Sequence, residues 1–258
     1  MIAARAVLLG VGLCVAASAQ QPFYTDDADV TERRHFFLEI SNQQSWLQRS
    51  ADPLTKQNAT VVHLNYGVTT NFEIGVDAPL IALYHQDELF SIGQGDLNFT
   101  FKLRLQSEQS GSKRPATTLS CAVETPTGNT KKLLGSGIAD YGCNTVIQKQ
   151  LGLWTLRVNN GMVFSGNTLT GVIGLRAKGL VYLGGGSITK EVLPRLLLGA
   201  EVNGSAAADS ALGKANLQTQ VAGQFTIKEG FALDFGLVRG WFSGAPKWQV
   251  QLGFSKDF

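Results

Sequence analysis

Three groups of residues in this chain are of types that could do chemistry. The first is acidic: Asp26, Asp27 and Asp29 crowd the aperiodic stretch QQPFYTDDADVTERRH at 20–35. Clustered carboxylates suggest a calcium turn, but the spacing lacks the glycine and distal glutamate of an EF-hand loop. The plainer reading is a solvated lead-in to whatever follows. The second group is histidine, at His35, His63 and His85. A membrane-embedded lipid hydrolase would need a serine–histidine pair oriented by a third polar group. No serine motif accompanies a histidine here, and His85 reads as a loop residue. The third group is Cys121 and Cys143, which form no C-x-x-C or Cys/His cluster and so give no zinc pattern. The expectation is a protein that is not an enzyme and has no cofactor and no metal.

What remains is a set of charges placed one by one between apolar residues. Leu97, Phe99, Phe101, Leu103 and Leu105 alternate with Asp96, Asn98, Thr100, Lys102 and Arg104. Successive side chains of a strand point to opposite faces, so this segment has one oily and one polar face. The same alternation recurs in about twelve segments, an even count as bacterial barrels have. The expected strands are Phe36–Trp46, Ala59–Thr69, Phe72–Leu83, Asp96–Leu105, Ala116–Thr125 and Ile138–Leu151. They continue with Trp154–Phe164, about Gly171–Ser187, about Arg195–Gly204, Ala215–Ile227, Phe231–Val238 and Lys247–Phe258. No helical periodicity competes.

Composition decides which solvent the oily face meets. Charged residues make up 16% of the chain and glycine 29 of 258 residues. Soluble domains run nearer a quarter charged, and a secreted two-sheet sandwich would expose its charge. Here the charge sits on one face of nearly every strand. In hydrocarbon every backbone group must pair internally, so such a sheet has to close into a barrel with the polar face inward. The connections agree. Long ones (Leu47–Asn58, Tyr84–Gly93, Thr127–Gly137, Ser205–Lys214) alternate with tight ones (Thr69–Asn71, Gln150–Leu153, Lys228–Gly230), as external loops alternate with periplasmic turns. Ser107–Pro115 is long where a short turn is expected. The predicted fold is an all-β, antiparallel, up-and-down transmembrane β-barrel. Its candidate lumen-lining residues are Glu73, Asp77, Asp96, Lys102, Arg104, Glu124, Asp140, Arg157, Arg176, Lys178, Glu201 and Asp234. Glu39 and Asp257 share their parity.

The ends of the chain fit an exported barrel. Arg5, an apolar run from Ala6 to Ala17 and Ala17-Ser-Ala19 read as a signal peptide over 1–19, too short to span a membrane as a helix. Residues 20–35 then form a periplasmic N-terminal segment, and 36–258 the barrel. Lys247–Phe258 is amphipathic and ends the chain on an aromatic, so Phe258 is the expected assembly signal. The expected partners are outer-membrane lipids, the barrel assembly machinery and a small solute. A net charge of +2 gives no support for nucleic acid. If the hairpin around Thr127–Gly137 centres near Lys132, Cys121 faces Cys143, as Val123 faces Tyr141 and Leu119 faces Thr145. An oxidising compartment then permits a disulfide.

In order along the mature chain, Phe23-Tyr-Thr-Asp-Asp-Ala-Asp-Val30, Gly93-Gln-Gly-Asp-Leu97 with Lys102-Leu-Arg104, Glu124-Thr-Pro-Thr-Gly128, Gly135-Ser-Gly137 with Asp140-Tyr141, and Asp234-Phe-Gly-Leu237 through Gly244-Ala-Pro-Lys-Trp248 to Phe258 carry a further signal. With them the chain resembles the meta-pathway phenol-degradation family of outer-membrane barrel proteins. The resemblance implies passage of small aromatic or hydrophobic compounds and brings no catalytic or binding residues. The cysteines are outside its pattern. A barrel plugged by its own charges and by residues 20–35 is the alternative.

Overall fold

The computed structural model describes residues 22–51, 53–109, 111–164, 179–208 and 215–258. Arg176, Lys178 and the first 19 residues lie outside them. The strands are β1 (Phe36–Trp46), β2 (Lys56–Thr69), β3 (Phe72–His85), β4 (Glu88–Gln94), β5 (Leu97–Gln106), β6 (Ala116–Thr125), β7 (Asp140–Leu151), β8 (Trp154–Phe164), β9 (Leu180–Leu193), β10 (Leu196–Ala207), β11 (Asn216–Lys228), β12 (Phe231–Gly240) and β13 (Trp248–Asp257). Strands adjacent in the sheet pair antiparallel, β3 with β2, β4 and β5, and β1 pairs with both β2 and β13, which closes the sheet. The fold is a closed antiparallel barrel of twelve staves.

Thirteen strands make twelve staves because β4 and β5 are one descending stave, broken at Gly95–Asp96. β3 pairs with β5 from Phe72 to Asp77 and with β4 from Leu80 to His85. Pro79 stands at the break. Proline has no N–H to give a ladder, and its carbonyl accepts from Gly95 N at 2.9 Å. The expected loop Tyr84–Gly93 is therefore corrected: Gln86 and Asp87 form a two-residue turn, and the stave resumes at Glu88. The eighth expected strand is corrected too, since the described one runs Leu180–Leu193 and turns at 194–195.

The barrel is inside out relative to a soluble domain. Ile40, Val62, Ile74, Phe99, Phe101, Leu103, Val158, Val221, Leu252 and Phe254 are exposed, whereas Asn65, Lys102, Arg157, Glu201, Gln218, Gln220 and Asp234 are buried. Burying polar groups while exposing Leu and Phe is stable only where the outside is hydrocarbon.

Tight turns at 70–71, 152–153, 194–195 and 229–230 gather at one end with the start of β1 and the end of β13. The long connection between β5 and β6 is tied down there. Glu108 accepts from the Lys149 ammonium and from Gln150 N at 2.9 Å, and Lys149 also donates to Ser112 O at 2.6 Å. Against its partial burial, these donors hold the Glu108 carboxyl below the usual range. At the seam Phe36 N donates to Phe258 O at 2.8 Å and Phe258 N to Phe36 O at 3.0 Å, with the rings stacked 5.8 Å apart.

Candidate functional site

The candidate site is the lumen, and the N-terminal segment lies inside it. The reading of residues 20–35 as a solvated lead-in at the periplasmic mouth is corrected for Pro22–Thr31. Thr25, Asp27, Ala28, Val30 and Thr31 are buried, each 7% exposed or less. The segment is held from all sides. Pro22 O accepts from Gln220 of β11 and Gln251 of β13. The Glu201 carboxylate of β10 accepts from Tyr24 N at 3.1 Å, Thr25 N at 2.6 Å and the Thr25 hydroxyl. Thr118 of β6 donates to Ala28 O at 2.6 Å, and Thr31 N donates to Glu73 of β3. These contacts satisfy backbone groups that have no strand partner of their own.

Lys102 is the electrostatic centre. It projects inward from β5, and its ammonium is 2.8 Å from Asp26 and 2.9 Å from Asp27. Two of the three clustered carboxylates, Asp26 and Asp27, are thus paired with a lysine, and Asp29 accepts from Gln148 at 3.3 Å. Although burial pushes the Asp27 carboxyl up, the Lys102 ammonium and the Arg157 guanidinium prevail and hold it below its usual range. Burial and the Asp27 charge push Asp29 the other way, upward. Burial raises the Tyr24 phenol to about 12, so it stays neutral and accepts from Gln249 at 2.5 Å.

Two glycines make room for the segment. A Cβ at Gly67 of β2 would lie 2.0 Å from Glu32 O and 2.5 Å from Thr31 O, both backbone atoms. A Cβ at Gly199 of β10 would come within 2.8 Å of the Phe23 ring. Ala28 packs against Ala116 and Val146, an apolar seat on an otherwise polar wall.

The other predicted lining residues separate into two groups. Asp77 and His63 are in contact inside, and Asn98 donates to Asp77 at 2.9 Å. Arg157 donates to Gln148 at 2.7 Å, and Gln224 to Asp234 at 2.9 Å. Glu124 and Asp140 are paired in register on β6 and β7 near the loop end. Asp96 and Arg104 are corrected. Asp96 lies in the stave break and accepts from Gly128 N at 2.7 Å and Ser136 N at 2.9 Å, anchoring the 126–139 loop. That loop inserts Leu134 among Ala59, Ile81 and Leu83. Arg104 clamps the β2–β3 turn through Thr70 O at 2.5 Å. His85 sits outside the lumen against Pro53 O.

Between the inserted segment and the loop end lies a hollow open to solvent, about 490 Å³ with the solvent space at its mouth included. Ala122, Val163 and Leu183 line it together with Asn98, Ser120 and Asn144. Cys121 and Cys143 are bonded, with Cα atoms 4.0 Å apart. Their parity matches that of Leu119, Val123, Tyr141 and Ile147, so the bond is on the outer face.

The fold is shared with solved outer-membrane channels. The COG4313 outer membrane channel from Pseudomonas putida F1 superposes with a TM-score of 0.68 at 15% identity, over 90% of this chain and 98% of that one. The KdgM porin gives 0.58 at 8% identity over 86% and 99%, and the NanC porin 0.57 at 6% over 86% and 98%. No family model matches the sequence, and no curated protein does. The class shown is therefore that of the fold, an all-β closed antiparallel barrel like those of these channels.

Proposed function

We propose that this protein is a passive channel of the bacterial outer membrane for small, partly apolar solutes, with residues 22–31 as its constriction. The observation that carries the reading is the cavity over the docked segment. Its apolar patch of Ala122, Val163 and Leu183 adjoins the amides and hydroxyls of Asn98, Asn144 and Ser120 on the same wall, a lining suited to a small aromatic ring bearing a polar group. The family resemblance of the sequence points the same way. Glu73, Asp77, Lys102, Glu124, Asp140, Arg157, Glu201 and Asp234 line the path or hold its constriction. On this reading the leader over 1–19 is removed after export, and both ends of the barrel chain are periplasmic. The opposing reading, a barrel permanently plugged, is favoured by the number of walls that grip the segment.

Planar-bilayer conductance and swelling of proteoliposomes in phenol or benzoate, against a sugar of similar size, test the channel. Single-channel steps with faster swelling in the aromatic solute are expected. Silence in both assays, persisting after residues 22–31 are removed, would discard the channel.

Assembly is expected to depend on Phe258. Its deletion removes both seam hydrogen bonds and the stacked ring. In cells, heat-modifiable gel migration should show most of the folded barrel lost and the chain accumulating in the periplasm. An unchanged folded yield would remove this role.

A further inference from the structure

On the outer face at the loop end, six residues fall in one hydrogen-bonded row across adjacent strands. In order they are Thr219, Arg239, Trp248, Trp46, Lys56 and Tyr84. The Arg239 guanidinium lies 4.6 Å from the Trp248 ring centroid and 5.7 Å from that of Trp241. It donates to Lys247 O at 2.9 Å, and Lys247 N donates to Trp46 O at 2.8 Å, which places an exposed lysine beside the row. Lys56 is already paired with Asp87 at 2.5 Å.

The next two rows inward depart from the lipid-facing pattern. Gln44 faces Asn58 and Asn42 faces Thr60, all on the parity of Ile40 and Val62. Asn42 Nδ2 donates to Asn58 Oδ1 at 2.9 Å and to Thr60 Oγ1 at 2.8 Å. Asn58 Nδ2 donates to Asn42 Oδ1 and to Gln44 Oε1, both at 3.0 Å. An amide nitrogen has two hydrogens and an amide oxygen two lone pairs. Both asparagine donors are therefore spent within the patch, while lone pairs remain on the three amide oxygens. Beside these rows on β13 stand the apolar Val250 and Leu252, and beyond them the face is apolar throughout, with Ile40, Val62 and Phe254 exposed. At the turn end, cation–aromatic pairs also occur, Lys190 over Trp154 and Lys256 over Phe258. The residues next inward from them on that face are Leu156, Ile188 and Phe254.

From the loop end inward the surface thus presents cations with aromatic rings, then on β1 and β2 hydrogen-bond acceptors flanked by the apolar Val250 and Leu252 of β13, then hydrocarbon. Rows two residues apart are separated by about 7 Å, so the polar band is as deep as a sugar headgroup. Phosphates would meet Arg239 and Lys247, sugar hydroxyls would donate to the amide oxygens, and acyl chains would continue along Ile40 and Leu252. We propose that the loop-end outer surface of β12, β13, β1 and β2 docks the phosphorylated disaccharide head of an outer-leaflet glycolipid, lipid A. A second copy of the chain fits less well, because Arg239 and Lys247 would face their own copies across a two-fold axis with Asp87 as the nearby acid. The inference rests on the outer-membrane reading with long loops outward, but not on an open lumen.

The test uses the full mature barrel in detergent, with retained lipid counted by native mass spectrometry. Lipid A, its dephosphorylated form and phosphatidylglycerol are the probes. The parent should prefer lipid A over both others, and Arg239→Gln with Lys247→Gln should lower retention roughly ten-fold or more. Asn42→Leu with Asn58→Leu should weaken lipid A while leaving phosphatidylglycerol unchanged. Equal retention of lipid A and phosphatidylglycerol by the parent would overturn the proposal. So would unaffected binding in the variants, or a dimer that dissociates in Asn42→Leu with Asn58→Leu. Heat-modifiable migration confirms that each variant is folded. Conductance of the same preparations separates the two readings. A conducting barrel without lipid preference fails only this inference, and a silent barrel that selects lipid A fails only the channel.

Discussion

Deleting residues 22–31 is expected to raise single-channel conductance by about ten-fold, since a twelve-strand lumen cleared of its insert leaves room for solvent. The structural grounds are the contacts of Pro22, Tyr24, Thr25, Ala28 and Thr31 with β3, β6, β10, β11 and β13. None of these strands uses the segment to complete its ladder, because the barrel closes through β1 and β13. The deleted protein should therefore still migrate as a folded, heat-modifiable barrel. Swelling rates should lose selectivity in the same variant, as the cavity floor is gone. A folded deletion protein with parental conductance would show that the segment does not constrict the path.

The second large effect is expected at Lys102→Met. Its side chain is 5% exposed, and it neutralises Asp26 and Asp27. Removing one partner of a buried ion pair costs about 3–5 kcal/mol. That corresponds to roughly two to four orders of magnitude in the docking equilibrium of the segment. A cysteine replacing the buried Ala28 reports docking through its rate of labelling by a membrane-impermeant maleimide, since Cys121 and Cys143 are bonded. Labelling and conductance should both rise in Lys102→Met. The pH response should also reverse. In the parent, Asp27 is held below the usual carboxylate range, so its anion favours docking at neutral pH. That contribution is lost only as the pH falls through the depressed value. Without Lys102 only the Arg157 guanidinium and the Asp29 N–H oppose the upward push of burial on Asp27, so acid should neutralise the carboxyl at a higher pH than in the parent and favour re-docking. Parental labelling and the same pH response in the variant would refute the role of Lys102.

Much of this could be read from alternation. The parity of Leu97–Leu105 assigns Lys102 to the inside without further information, because a one-residue slip would carry every side chain to the other face. The mirror relation of Cys121 with Cys143 follows from one hairpin centre, and the register places them opposite. What alternation missed has local causes. The turn before β4 is made by Gln86 and Asp87, at φ 47° and 72°, where Asn-Gly or Asp-Gly is the usual signal. The turn into β10 places Arg195 at φ 73° and likewise carries no glycine. Asp96 and Arg104 have the right parity, but each lies where its strand gives way to a turn or a break, so its partners are loop groups. Nothing local in Phe23–Val30 announces a place in the lumen, because its partners are up to 225 residues away. The available hint was Lys102, an inward lysine that needs an anion nearby.

The disulfide on the outer face also says something about time. Thiol oxidation proceeds through a thiolate, an ion that hydrocarbon does not solvate. Once the barrel is embedded, Cys121 and Cys143 face acyl chains, out of reach of water-soluble oxidants. On the outer-membrane reading the bond is expected to form before insertion, with β6 and β7 already aligned in register. Chains lacking Phe258 and held in the periplasm should carry it. It is a covalent record of a hairpin that formed in water and was later carried into the membrane.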